Sequence, residues 1–210
     1  MLSTISEYKI VPILRGMNVE DALFLTECLH QSNFNVLEVS LNQADSYTVL
    51  ERLCQEFGNQ MTIGAGTVLS SQMAYDARDL GASFFLSPNI SKQVANTAKE
   101  LDIPYIPGAL TPTEIQYASE LGIDVIKIFP IRQLGSSYIK DVLASLNKVK
   151  LLAVGGVGSD NLKEFLDAGA AGVGIGSSLL KEEWITNRDR RAVLEQLNIY
   201  KKVLQEKEGK

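Results

Sequence analysis

Two ionisable residues stand where ionisable residues are costly. Lys127 lies in Asp124-Val125-Ile126-Lys127-Ile128-Phe129-Pro130, and Glu38 lies in Val36-Leu37-Glu38-Val39-Ser40-Leu41. Both runs are apolar and rich in β-branched residues, the pattern of a strand buried on two faces. An ammonium or a carboxylate in such a strand is unfavourable unless it is paired or neutral. Desolvation lowers a lysine pKa, and a neutral amine attacks a carbonyl to form a Schiff base. Strand side chains alternate between two faces. If Lys127 and Glu38 point to the same interior, each is the other's counter-charge, and Glu38 is a proton shuttle. The alternatives are a lysine that snorkels from a strand end to solvent and a purely stabilising ion pair, although buried pairs are weak evidence for stability.

Other polar groups gather at the ends of apolar runs. Arg15-Gly16 follows Ile10-Val11-Pro12-Ile13-Leu14 directly, so Arg15 either forks onto a carboxylate or phosphate or is a solvated loop residue. Gly66-Thr67 puts a hydroxyl on flexible backbone; Thr67 is alternatively an N-cap, the commoner role for a threonine there. Ser87-Pro88-Asn89 and Pro107-Gly108 close two further runs. Gly155-Gly156-Val157 and Gly176-Ser177-Ser178 are turns whose backbone N–H groups can approach an anion, a helix N-terminus adding favourable charge. Glycine pairs also serve ordinary turns, so only the recurrence at two places gives them weight.

These residues are positioned by a strict alternation of strand and helix. Predicted strands run over Ile10–Leu14, Val36–Leu41, Thr62–Thr67, Phe84–Ser87, Pro104–Pro107, the segment carrying Lys127, Leu151–Val154 and Gly172–Gly176. Predicted helices cover Val19–Gln31 with Asn18 as N-cap, Ser46–Phe57 ending at Gly58 as C′, a segment from Ser70 to about Gly81, one capped by Ser91, and Pro112–Leu121. Further helices cover Ser136–Leu146, a segment capped by Ser159 or Asp160 and ending at Gly169, and the amphipathic Arg190–Gln205. Helical crossovers imply parallel pairing. Eight units in 210 residues fit a single compact (β/α)8 TIM barrel, residues 1–210, better than a doubly wound sheet. Chemistry in that fold sits at the C-terminal strand ends, and the loops after strands seven and eight often bind phosphate.

Composition narrows the field. A net charge of −5 argues against general nucleic-acid binding. No apolar run reaches the roughly 18 residues of a membrane span, and the N-terminus lacks the pattern of a secretory signal. Cys28 and Cys54 form no Cys-x-x-Cys motif and read as reduced core thiols of a cytoplasmic protein. His30 is the only histidine, which rules out a multi-histidine metal site and weakens a zinc reading, while a carboxylate-bound magnesium stays open.

The segments Val11-Pro12-Ile13-Leu14-Arg15-Gly16, Leu37-Glu38-Val39-Ser40-Leu41, Gly64-Ala65-Gly66-Thr67-Val68-Leu69 and Lys127-Ile128-Phe129-Pro130 are together specific. Through them the chain resembles, over nearly its whole length, the KDPG/KHG aldolase family. These are class I pyruvate-dependent aldolases of 2-keto-3-deoxy-6-phospho sugar acids. The resemblance implies Lys127 as the Schiff-base residue and Glu38 as the general acid/base. It implies Arg15 and Thr67 as contacts for the pyruvyl portion, with Asn42, Pro88, Gly108 and Phe129 in the substrate pocket. Phosphate contacts would come from Gly155, Gly156, Val157, Gly176 and Ser177. It also implies a phosphorylated keto acid and pyruvate as small-molecule partners, no cofactor and no metal, and a homotrimer. One position departs from the phosphogluconate members: Asn42 stands where they usually carry arginine. Leu41-Asn42 and Ala153-Val154-Gly155-Gly156-Val157 look more like the phosphogalactonate branch. The competing readings are a phosphogluconate or 4-hydroxy-2-oxoglutarate aldolase, a metal-dependent aldolase, a phosphosugar isomerase or epimerase, and a non-catalytic sugar-phosphate-binding barrel.

Overall fold

A computed structural model of the chain describes residue 5, residues 7–43 and residues 45–205. Among the described residues there are nine strand segments: β1 (Ile10–Leu14), β2 (Val36–Ser40), β3 (Thr62–Gly66), β4 (Phe85–Leu86), β5 (Tyr105–Ile106), β6 (Gly108–Ala109), β7 (Val125–Ile128), β8 (Lys150–Val154) and β9 (Gly172–Ile175). Between and after them run helices α1 (Val19–Gln31), α2 (Ser46–Phe57), α3 (Ser71–Asp79), α4 (Lys92–Glu100), α5 (Pro112–Glu120), α6 (Gly135–Ser145), α7 (Leu162–Asp167), α8 (Glu182–Thr186) and α9 (Arg190–Gln205).

The strands form one sheet in the order β5-β4-β3-β2-β1-β9-β8-β7-β6, and every pairing is parallel. The two outermost members, β5 and β6, are consecutive pieces of one strand separated only by Pro107. The sheet therefore closes on itself through the chain, giving the (β/α)8 barrel that the alternation predicts. The predicted fifth strand, Pro104–Pro107, is split because proline has no N–H for a ladder bond. The Pro107 carbonyl still accepts from Lys127 N at 2.8 Å, and Gly108 N turns to Asn89 O at 3.2 Å.

The period of two along each strand divides the apolar residues into two layers. Val11, Ile13, Val36, Phe84, Leu86, Ile106, Val125, Leu152 and Val154, with Ile5, form the cluster that fills the barrel. Their sequence neighbours Ile10, Leu14, Leu37, Val39, Ile126 and Ile128 face the helices in a larger cluster. Lys127 is two residues beyond Val125, and Glu38 two beyond Val36, so both belong to the inner set. Glycines on β3 leave room there: a Cβ on Gly64 would strike the Phe84 ring, and one on Gly66 would strike the Glu38 carboxylate.

Most helix starts follow local capping chemistry. Asn18, Ser70 and Ser91 accept from the backbone N–H three residues on, and Thr111 with Glu114 forms a reciprocal capping box. Two expectations are corrected. The cap residue of α7 is Asn161, not Ser159 or Asp160, and it makes no side-chain cap bond; its amide is used on the preceding glycine turn. Gly58 is the C-cap of α2 in right-handed backbone, φ −59°, rather than a left-handed C′ residue; a Cβ there would strike the Cys54 carbonyl. The short helix α8 has no counterpart in the sequence reading.

Candidate active site

β7 and β2 carry Lys127 and Glu38 into the barrel from separate walls. Glu38 is 0% and Lys127 4% exposed, so neither snorkels to solvent. Glu38 lies over Gly66 of the neighbouring β3, two residues beyond its own register partner Gly64. Neither carboxylate oxygen of Glu38 has a hydrogen-bond partner among the described residues. Lys127 is thus not in direct contact with it, and the expected counter-charge pairing acts through space only. Burial raises the Glu38 pKa, with the Lys127 and then the Arg15 charge opposing. Burial lowers the Lys127 pKa; the Glu38 charge opposes and Arg15 adds to the lowering. Both groups are pushed toward their neutral forms, an amine and a carboxylic acid. A neutral amine is a nucleophile, and a buried acid with free oxygens can exchange a proton with whatever the amine binds.

The neighbours of this pair come from adjoining strand ends. Gly108 is the register partner of Lys127, and a Cβ on it would strike the Pro88 carbonyl, so Pro88 and Gly108 shape the wall beside the amine through backbone. Phe129 continues β7 inward, its ring centroid 4.9 Å from Lys127 Nζ. Thr67 is not an N-cap; Ser70 takes that role. Its backbone is left-handed, φ +62°, a rare state for a β-branched residue, and its hydroxyl meets Ser40 Oγ at 2.9 Å. Ser40 is two residues above Glu38 on the same inner face. Asn42 stands exposed beyond the end of β2.

Above the pair opens a cavity of about 600 Å³ whose walls include Arg15, Phe129, Gly155, Gly156, Gly176 and Ser177. The structure thus brings together on one cavity six residues that the sequence places on four strand ends. Lys127 and Glu38 lie beneath it, joined to it through Phe129, which is 3.5 Å from where a Cβ on Gly155 would stand, and through Ile13, the register partner of Glu38. Gly155 and Gly156 have φ +101° and +81°, which glycine adopts without strain. Asn161 pins their turn, accepting from Gly158 N at 2.9 Å and donating to Gly156 O at 3.0 Å. Val157 is not on the cavity wall: its side chain is buried in the outer core and its carbonyl accepts from Ser178 Oγ. Asn42, Thr67, Pro88 and Gly108 also lie off that wall, on the β2–β6 side of the barrel.

Arg132 escaped the sequence reading. It follows Ile131, which is fully buried and whose N–H donates to Val154 O at 3.0 Å. That bond sets the loop after β7 against the end of β8, and Arg132 lines the same cavity. A cation in a polar surface loop carries no pattern in one dimension.

The profile of the family described as "Aldolase: KDPG and KHG aldolase" matches residues 1–196. The 2-dehydro-3-deoxy-6-phosphogalactonate aldolase of Escherichia coli K12 is 31% identical over 197 residues, 93% of this chain and 96% of that protein. A probable 2-dehydro-3-deoxy-6-phosphogalactonate aldolase of Rhizobium meliloti is 33% identical over 83% of each chain. Among solved structures, a KDPG aldolase from Legionella pneumophila, with pyruvate captured as a covalent carbinolamine, superposes with TM-score 0.87 at 30% identity, covering 93% of this chain and 95% of that one.

Proposed function

The chain belongs to the KDPG and KHG aldolase family, and from that premise we propose that Lys127 is the Schiff-base residue of a class I aldolase acting on 2-dehydro-3-deoxy-6-phosphogalactonate. The observation that carries this is the buried, separated pair: an amine and a carboxyl, both held toward neutrality by burial, with the carboxyl oxygens unpartnered. A purely structural ion pair would place the two charges in contact.

The neutral Lys127 amine adds to the C2 ketone, and the Glu38 acid gives its proton to the departing hydroxyl, so that water leaves, a protonated Schiff base forms and Glu38 becomes a carboxylate. The electrons of the C3–C4 bond move into that iminium as the bond breaks, leaving an enamine of pyruvate. Glu38 accepts the C4 hydroxyl proton, directly or through water, and the three-carbon aldehyde phosphate departs. The proton held by Glu38 returns to C3 of the enamine, and water hydrolyses the resulting imine to release pyruvate. Arg15 and the Thr67 hydroxyl hold the keto-acid end. The Gly155-Gly156 and Gly176-Ser177 turns hold the phosphate end. Fixing both ends orients the breaking bond, which supplies several kcal/mol toward the barrier.

The choice of sugar acid rests on Asn42 and on the two phosphogalactonate aldolases at 31% and 33% identity. The phosphogluconate epimer and 4-hydroxy-2-oxoglutarate are the competing substrates. A homotrimer in the cytoplasm belongs to the same reading; exposed Leu110, Tyr117 and Leu134 offer apolar surface for subunit contact, and sedimentation equilibrium reads the mass. The chemistry is tested by borohydride reduction with pyruvate: a stable adduct on Lys127 is expected, and its absence sinks the Schiff-base assignment. Lactate dehydrogenase-coupled cleavage then ranks the three substrates, phosphogalactonate first; a faster phosphogluconate reaction reverses the substrate assignment.

A further inference from the structure

We infer that Arg132 is the specificity residue for the phosphorylated end of the substrate, an inference that deepens the reading above and rests on it. The cavity carries two guanidinium groups from different strand ends. Arg15, at the end of β1, is near enough to the buried pair to bias both its members. Arg132, after β7, lies on the glycine turn of β8: a Cβ on Gly156 would stand 2.6 Å from Arg132 Nε and 2.9 Å from Arg132 Cβ. The absent side chain at Gly156 is what lets the Arg132 side chain pass so close to that turn.

Among the described residues nothing occupies this cation. Among the described residues Arg132 has no carboxylate partner and no side-chain hydrogen bond. Like Arg132, Arg15 has no carboxylate partner among the described residues, whereas Arg188 is paired with Asp21 at 2.5 Å and Arg190 with Glu27 at 2.5 Å. Asp21, an acid on the cavity wall, is consumed by Arg188, and Glu182 is the remaining one. In a chain of net charge −5, an unpaired arginine beside glycine N–H groups is a local exception. A guanidinium presents a planar fork that matches phosphate oxygens, and charge-assisted bonds to phosphate are among the stronger polar contacts.

The two arginines therefore select a substrate with an anion at each end. Arg15 serves the carboxylate beside the reacting carbon, and Arg132 serves the phosphate, with Phe129 and the glycine turns between them. Backbone N–H groups alone favour an anion without much penalising its absence. An arginine that is left unanswered by an unphosphorylated sugar acid widens the difference between the two substrates. The role is one of binding and orientation; Arg132 does not touch the reacting bond.

The test compares kcat/KM for the phosphorylated 2-keto-3-deoxy sugar acid and its unphosphorylated counterpart in wild type, Arg132→Gln and Arg132→Lys. In Arg132→Gln the preference for the phosphorylated substrate is expected to fall about tenfold or more, mainly through KM. Arg132→Lys, which keeps the charge but loses the fork, is expected to lie between. An unchanged preference overturns the inference, as does an equal loss on both substrates, which marks a structural role. Calorimetric titration with inorganic phosphate gives a reading that is independent of catalysis: affinity is expected to weaken in Arg132→Gln, and equal affinity counts against Arg132. Failure of borohydride trapping in the wild type would instead fall on Lys127 and leave the phosphate result standing.

Discussion

At the scale of single residues, the site depends on one amine whose pKa is held below that of a free lysine. Burial does most of this, and the two nearest charged side chains pull in opposite directions. The Arg15 charge disfavours a second cation on Lys127, so Arg15→Gln should raise the Lys127 pKa and move the acidic limb of its reactivity to higher pH. The Glu38 charge favours the ammonium, so Glu38→Gln should move that limb to lower pH. The rate of borohydride trapping at saturating pyruvate, followed against pH, reads both; shifts of the same sign in the two variants would contradict the electrostatic picture. Lys127 and Glu38 were legible because a charge inside an apolar strand is anomalous in one dimension. Arg132 was not, because an arginine in a polar loop is ordinary until the fold lays it on Gly156.

At the scale of elements, the rim formed by β2, β3 and β4 shows how local structure holds a strained residue. Thr67 sits in left-handed backbone at φ +62°, a state costing roughly 1–3 kcal/mol. The next residue is tied on both sides: Val68 N donates to Leu86 O at 3.0 Å, and the buried Ser87 hydroxyl donates to Val68 O. Ser87 is thus a positioning residue for Thr67. Ser87→Ala should lower stability by about 1–3 kcal/mol, the range for unmaking a buried hydrogen bond, and raise KM for the keto acid while leaving the pyruvate-trapping site chemically intact. Denaturant midpoint and steady-state KM measure the two effects; a stability loss with unchanged KM would show that Thr67 does not depend on this anchor. The sequence located Ser70 and Ser91 as caps because each serine stands directly before a helical pattern. It missed Asn161 because Ser159, Asp160 and Asn161 are all capping-competent, and only the path of the glycine turn decides which amide points where. It missed α8 because five residues are too few to carry a period.

At the scale of the whole molecule, the buried pair opposes folding. Glu38 binds its proton more tightly in the folded chain, so the stability it contributes is lost as pH rises from about 4.5 through its raised folded value. Lys127 binds its proton less tightly when folded, so its contribution is lost as pH falls from about 10.5 through its lowered folded value. Across neutral pH neither group favours the barrel. Replacing both by methionine should raise stability at pH 7 by about 1–4 kcal/mol and abolish activity, with calorimetric Tm as the measure; a lower Tm would mean the pair holds the barrel together. Such an exchange of stability for function is expected where a site is built into a core. The amino-acid order by itself determined the alternation of strands and helices, the placing of Lys127 and Glu38 within apolar strands, and the glycine turns, because periodicity, capping and the cost of a buried charge act over a few neighbouring residues. Only the closed barrel decided that Pro107 splits a strand to join the two edges of the sheet. Only the barrel separated Lys127 from Glu38, set Val157 away from the cavity wall, and laid Arg132 on Gly156. These outcomes depend on register between strands far apart in sequence, which no local pattern encodes.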